Sequence, residues 1–394
     1  MYVLTGGEVA DVDGTRRADV AIADGEIVAV GDEAAEEAAE ASADGSEPTH
    51  IDVSGRVVAP GLIDSHVHVM MDGRPAVATA VDESDFTASF RAAENLRAAL
   101  SAGVVAVRDL GARGTLALDA GALVEDGVLT GPRVVACGHN VVMTGGHGHW
   151  FGREADGPDE VRKAAREQLK AGANVLKCMA TGGVLTEGAV TGAPELTPEE
   201  LAAFTDAAAP TNTPTAAHAH GDEGIENAVR AGITSIEHGT FMSRETAELM
   251  AERGTYWVPT ASALHGIVDN GIEAGIPADA VEKAEVSAEA FADAWKHAID
   301  AGVTIAMGTD AGTPFNTFEA IADELTYMVE YGLSPAEALE AATVNAADLL
   351  GLEDVGRVAA GYRADLVVLG SDPNADAGAW AEPESVFFGG ERVV

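Results

Sequence analysis

With 394 residues, 47% of them hydrophobic, the chain is too long for one small domain and apolar enough for a large core. Its 23 basic and 65 acidic residues give a net charge of −42, which repels nucleic acid and anionic membranes and excludes both as partners. No apolar run reaches the roughly 18 residues of a membrane span, and the first residues carry no signal-peptide pattern, so a cytoplasmic protein acting on a small molecule is expected.

The acid is spread along the whole chain, and lysine occurs only at 163, 170, 177, 283 and 296. That pattern reads as adaptation to a salt-rich cytoplasm, where screening offsets self-repulsion, rather than as a site for a cationic partner. Cys137 and Cys178 lie in apolar runs and indicate a reducing compartment, not a disulfide framework.

Residues 1–56 read as short strands, with a hairpin signal at Asp24-Gly25 between two β-branched runs. The stretch 33–48, rich in Ala, Glu and Ser, is expected as an exposed loop or short helix. From 57 onward apolar strands alternate with helical patterns. Strands are expected at 57–69, 104–110, 133–138, 174–181, 214–220, 235–239, 256–260 and 304–310. Helices are expected at 83–102, 159–171, 198–208, 224–231, 244–253, 278–301 and 317–331, with a last one at 334–350. Several end in Ala-Gly, where glycine suits the left-handed residue that closes a helix. Eight such units predict an α/β fold, a parallel (β/α)8 TIM barrel over 57–350. An open doubly wound sheet is the weaker alternative, since no Gly-x-Gly-x-x-Gly follows an early strand. After 350 the chain is strand-like again. Residues 1–56 and 351–394 are therefore expected to form one small β-sandwich domain against the barrel.

Barrel chemistry sits at the C-terminal ends of the strands. Reading those ends alone gives His66 and His68 on the first strand and Lys177 on the fourth. The fifth gives His218 and His220, the sixth His238 and the eighth Asp310. In a strand, i and i+2 share a face, so His66 and His68 project together as a metal chelate. Two satisfied histidines on a strand edge would give the same bare His-x-His, but five of the eleven histidines gathered at strand ends point to metal. Lys177 stands inside an apolar run, so burial should depress its pKa and make the amine nucleophilic. It could form a Schiff base, pair with a carboxylate, or take up carbon dioxide as a carbamate. Only the carbamate completes the ligands of two divalent ions.

Pro60-Gly61-Leu62-Ile63-Asp64-Ser65-His66-Val67-His68 resembles the first-strand signature of the amidohydrolase superfamily, and Lys177, His218, His238 and Asp310 follow in that family's order. The resemblance spans nearly the whole chain. Thr144-Gly145-Gly146-His147-Gly148, Ala180-Thr181-Gly182-Gly183 and Ile236-Glu237-His238-Gly239 are similar to the imidazolonepropionase-related branch that includes metal-dependent prolidases and Xaa-Arg dipeptidases. The resemblance implies two divalent metal ions, expected as Zn2+, one bound by His66, His68 and Asp310 and the second by His218 and His238. Carboxylated Lys177 and a hydroxide would bridge them. Asp310 would shuttle the proton from water to the leaving nitrogen. His147 would bind the substrate carbonyl or oxyanion, and His220, where some dipeptidases carry tyrosine, would touch the substrate. Glu237 should face away from His238 in a structural role, and His139 and His149 receive none.

The expected activity is hydrolysis of an amide C–N bond in a dipeptide or N-acyl amino acid, in a homo-oligomer. A cyclic amide or lactam hydrolase, or a deaminase, is the alternative. Lys177 argues against a mononuclear deaminase, and the complete ligand set argues against a non-catalytic scaffold.

Overall fold

The computed structural model describes residues 1–36 and 47–394, so most of the loop or short helix expected at 33–48 lies outside the described residues. The two chain ends build two sheets. In the first, Glu26–Val30, Val20–Ala23, Tyr2–Thr5 and Thr49–Asp52 lie side by side. The expected hairpin is present: Asp24 and Gly25 both have positive φ (50° and 86°), as a tight two-residue turn between antiparallel strands demands. The second sheet runs Glu391–Arg392, Ser385–Phe388, Leu366–Leu369, Val57–Pro60, Glu8–Asp11 and Gly14–Arg17. Leu4, Val20 and Ile22 of the first sheet share one buried cluster with Val58, Leu366 and Phe387 of the second.

The run expected as one strand, 57–69, is two. Val57–Pro60 pairs with Leu366–Leu369, while Leu62–Val67 pairs in parallel with Val104–Asp109. Gly61 is the joint. A Cβ there would come within 2.2 Å of the Val105 side chain, so only glycine lets the chain pass from one body to the other.

In the βα body, Arg133–Ala136, Val104–Asp109 and Leu62–Val67 form one parallel sheet. Leu176–Met179, Thr215–Ala219, Ser235–His238 and Tyr256–Val258 continue another in that order. Hydrogen bonds join the two sheets at both margins. The Asn174 N–H donates to the Ala136 carbonyl (2.9 Å). On the other side, segment 304–311 bonds to Trp257 and also receives the Ser65 and His68 N–H groups, each at 2.9 Å. That segment, expected as the eighth strand, makes only isolated bridges. Its ladder is interrupted because the Asp64 carboxylate, not a backbone carbonyl, takes the Thr309 N–H and hydroxyl (3.1 and 2.6 Å).

Helices fill the connections largely as expected, with caps that explain their starts. Thr197 with Glu200, and Ser334 with Glu337, form reciprocal capping boxes ahead of Pro198–Ala208 and Pro335–Ala342. The helix expected over 334–350 breaks at Thr343, whose hydroxyl donates to the Leu339 carbonyl (2.6 Å), and resumes as Val344–Leu350. Leu116–Glu125 and Ala261–Val268 are helices that the sequence pattern did not mark. Among the described residues, no helix is long and apolar enough to cross a membrane.

Candidate active site

The parallel strands deliver their polar residues to one buried floor. His66 lies near the end of Leu62–Val67 with His68 just beyond, Lys177 on Leu176–Met179, and His218 on Thr215–Ala219 with His220 one step past it. His238 closes Ser235–His238, and Asp310 stands on segment 304–311. All are buried. The geometry thus brings together every strand-end residue named from the sequence.

Asp310 Oδ1 lies 3.2 Å from His68 Nε2 and 3.4 Å from His66 Nε2. The His218 ring sits 4.6 Å from His238 and 4.7 Å from His220. Two groups of ligand atoms, those of His66, His238 and Asp310 and those of His218, His220 and His238, each fall within 4.8 Å of one another. The two groups overlap at His238, whose single free Nε2 can serve one ion, so the donors form one continuous cluster across the floor.

The imidazoles are held by their Nδ1 atoms. His66 meets Glu237 Oε2 (2.9 Å) and His68 the Gly111 carbonyl (2.9 Å). His220 meets Thr240 and His238 meets Thr260, both at 2.7 Å. Fixing Nδ1 leaves Nε2 as the ligand atom. Burial holds His66 and His220 down to about 4, and His218 and His238 well below the ordinary histidine range, so these rings are neutral, as ligands must be. Burial also acts against charge on His68, but Asp310, Asp109 and the Gly111 carbonyl together outweigh burial and raise its pKa.

Glu237 corrects the sequence reading. It does not face away. His238 has φ +70°, which breaks the strand alternation, and both Glu237 and His238 contact His66. Behind it, Arg108 Nη2 donates to Glu237 Oε1 (3.0 Å) and Nη1 to Ser235 (3.1 Å). Burial alone would raise the Glu237 pKa, but the Arg108 guanidinium and His66 bring it down to about 2. Asp310 and Thr260 are also left-handed (φ +61° and +57°). Such backbone costs on the order of 1–2 kcal/mol per residue and gathers where geometry is imposed by function.

His147 reaches the floor from the loop after Arg133–Ala136. Its ring stacks on His218 at 4.3 Å, its Nδ1 meets Thr186 (2.9 Å), and its N–H donates to Glu195 (2.9 Å). Gly183 explains the Ala-Thr-Gly-Gly motif: a Cβ there would lie 2.4 Å from the His147 ring. Thr186, Thr240, Thr260 and Arg108 were missed from sequence because no spacing rule marks them. His139 and His149 bond to backbone of their own loop, at the Phe151 and Gly146 carbonyls.

Among the described residues, Lys177 Nζ and His218 Nε2 are buried without a hydrogen-bond partner. Each such orphan costs about 1–3 kcal/mol, and burial pushes the Lys177 amine below the ordinary lysine range. Unpartnered nitrogens beside neutral imidazoles and a carboxylate fit a site built for metal ions.

The family model described as the amidohydrolase family matches residues 57–393. The chain belongs to that family. Ochratoxinase of Aspergillus niger is 33% identical over 360 residues, covering 84% of this chain and 73% of that relative. A solved prolidase complexed with N-methylphosphonate-L-proline superposes with a TM-score of 0.90 at 32% identity, over 100% of this chain and 99% of its own. Imidazolonepropionase of Anaeromyxobacter is 28% identical over 362 residues, 84% of this chain and 79% of that relative. This amidohydrolase is thus an enzyme of metal-dependent amide C–N hydrolysis with prolidase- and imidazolonepropionase-like relatives, as the motifs led one to expect.

Proposed function

We propose that this amidohydrolase is a binuclear enzyme that cleaves the amide bond of a dipeptide or an N-acyl amino acid. The observation that carries the reading is the buried cluster of His66, His68, His218, His238 and Asp310 around the unpaired Lys177 amine, more nitrogen and oxygen donors than one ion takes. His66, His68 and Asp310 would hold one divalent ion and His218 and His238 the other, with Lys177, as a carbamate, supplying the remaining anionic donor. The nitrogen and oxygen donors suit Zn2+. When bound, such ions polarise a carbonyl and acidify water. The chain's residues do the rest. Asp310, 3.2 Å from His68, takes a proton from the attacking water and returns it to the leaving nitrogen. His147 donates to the substrate carbonyl oxygen as negative charge develops there. His220, beside His218, contacts the substrate. The scaffold is a closed (β/α)8 barrel, supported by the hydrogen bonds that join its sheets at both margins. The termini, 1–56 extended by Val57–Pro60 and 351–394, form a β-sandwich.

Elemental analysis tests this reading. Protein prepared with metal in high salt should hold about two divalent ions per chain. One ion would indicate a mononuclear hydrolase, and none, with the ligands intact, would end the metal assignment.

We also propose a homo-oligomer adapted to a salt-rich cytoplasm. At a net charge of −42, removing salt lengthens the screening distance from about 3 Å at 1 M to about 30 Å at 0.01 M. The melting temperature should therefore rise steeply between dilute and molar salt. A flat profile would end this part of the reading.

A further inference from the structure

We infer that the chamber beside the histidine floor receives a large uncharged side chain, apolar or aromatic, adjacent to the scissile bond. This rests on the amide-hydrolase reading and names the substrate class within it.

Trp150, Leu185, Leu264, Ile267 and Phe291 wall the cavity that contains His66, His218 and Asp310. They come from separate elements: the loop carrying His147, the loop after Leu176–Met179, helix Ala261–Val268 and helix Ala278–Ala301. The wall is set before substrate arrives. Ile267 clusters with Val184, Val281 and Ala284, and Leu185 and Leu264 pack on that cluster. Helix Ala261–Val268 is pinned at its start by buried Glu324, which accepts the Ala261 and Ser262 N–H groups (2.8 and 2.7 Å) and the Ser262 hydroxyl (2.6 Å). A rigid apolar wall selects by shape and loss of water.

The same wall rejects charge. Apart from its histidines, the charged side chains lining the cavity are Lys177 and Asp310, both on the floor, among the described residues. The Lys283 amine, on the helix that supplies Phe291, is already engaged by the Thr186 carbonyl (2.9 Å) and Asp279 (3.3 Å). A lysine, arginine, aspartate or glutamate side chain entering here would lose its hydration with no partner in return.

The test uses metal-loaded enzyme in high salt and two dipeptide series, X-Ala and Ala-X, with X as Phe, Leu, Ala, Lys or Asp. At one of the two positions kcat/KM for Phe should exceed that for Ala by about 30- to 100-fold, with Lys and Asp below Ala. Lys or Asp cleaved as fast as Phe at both positions overturns the inference. Half-buried Leu264 supplies the variant. Leu264→Arg should raise the Asp-to-Phe ratio at least tenfold while metal content and melting temperature hold, and an unchanged ratio counts against the wall as the reader. If neither these dipeptides nor the N-acetyl derivatives of the same amino acids are cleaved, the substrate reading above fails by itself. Calorimetry with free phenylalanine, lysine and aspartate then decides: binding of phenylalanine alone supports the chamber's role, and equal binding of all three, or of none, overturns it.

Discussion

Lys177→Ala is expected to lower kcat/KM by at least about 10³-fold and to leave roughly one metal ion per chain, with the fold intact. Lys177 is 1% exposed, and its amine has no hydrogen-bond partner among the described residues and is pushed below its ordinary pKa by burial. A neutral amine attacks carbon dioxide: the new N–C bond forms, a proton leaves, and the side chain becomes an anionic carbamate. That anion supplies the oxygen donors the histidines cannot, and alanine removes them. Stability should change little, since the loss of stem packing opposes the relief of a buried polar orphan. Activity, metal content and melting temperature read the three effects apart. Short carboxylic acids, or bicarbonate with Lys177→Gly, should restore part of the activity. Electron density of the loaded enzyme should show three extra atoms on Nζ. A bare ammonium beside two bound ions would exclude the carbamate, and an active Lys177→Ala would remove the residue from the site.

What could be read in the sequence depended on whether a signal was local. His66, His68, His218, His238 and Asp310 lie at the ends of strand-like runs and Lys177 inside one, and a barrel gathers such residues on a common floor before any coordinates exist. The two unmarked helices hid for a shared reason. Leu116–Glu125 contains Gly121 and Ala261–Val268 contains Gly266, and glycine lowers helix propensity. The structure shows why both are glycine: a Cβ would come within 3.2 Å of the Val134 carbonyl oxygen at the first and 2.3 Å of the Pro314 carbonyl oxygen at the second. Close packing, a tertiary fact, overrode a local preference. The split at Gly61 was harder to read, because the apolar run Val57–Pro60 resumes as Leu62-Ile63 and what separates the two strands is their pairing partners. Glu237 was misplaced by the rule that located His238, since a period of two fails where a strand ends in a left-handed residue.

Breaking the pair behind His66 is expected to hurt both fold and catalysis. Arg108 and Glu237 are fully buried and 3.0 Å apart, with Glu237 passing the contact on to His66 Nδ1 at 2.9 Å. Arg108 also donates to the Ser65 carbonyl, on the strand that carries His66. Glu237→Leu leaves the guanidinium uncompensated in the interior and frees the imidazole to rotate. Removing one partner of a buried pair costs about 3–5 kcal/mol, and losing the orienter of a metal-binding histidine lowers metal affinity about 10- to 100-fold. Arg108→Met should destabilise similarly but weaken metal binding less, because Glu237 still holds His66. The double variant should be more stable than the sum of the two single losses predicts, since it strands no charge. Glu237→Gln separates orientation from charge, as its amide oxygen can still accept from His66 Nδ1: metal affinity should recover more than stability does. The measurements are urea denaturation of the metal-free protein and competitive metal titration of the folded one. Single variants that unfold and bind metal as the parent does would show that the Arg108–Glu237–His66 chain holds nothing in place.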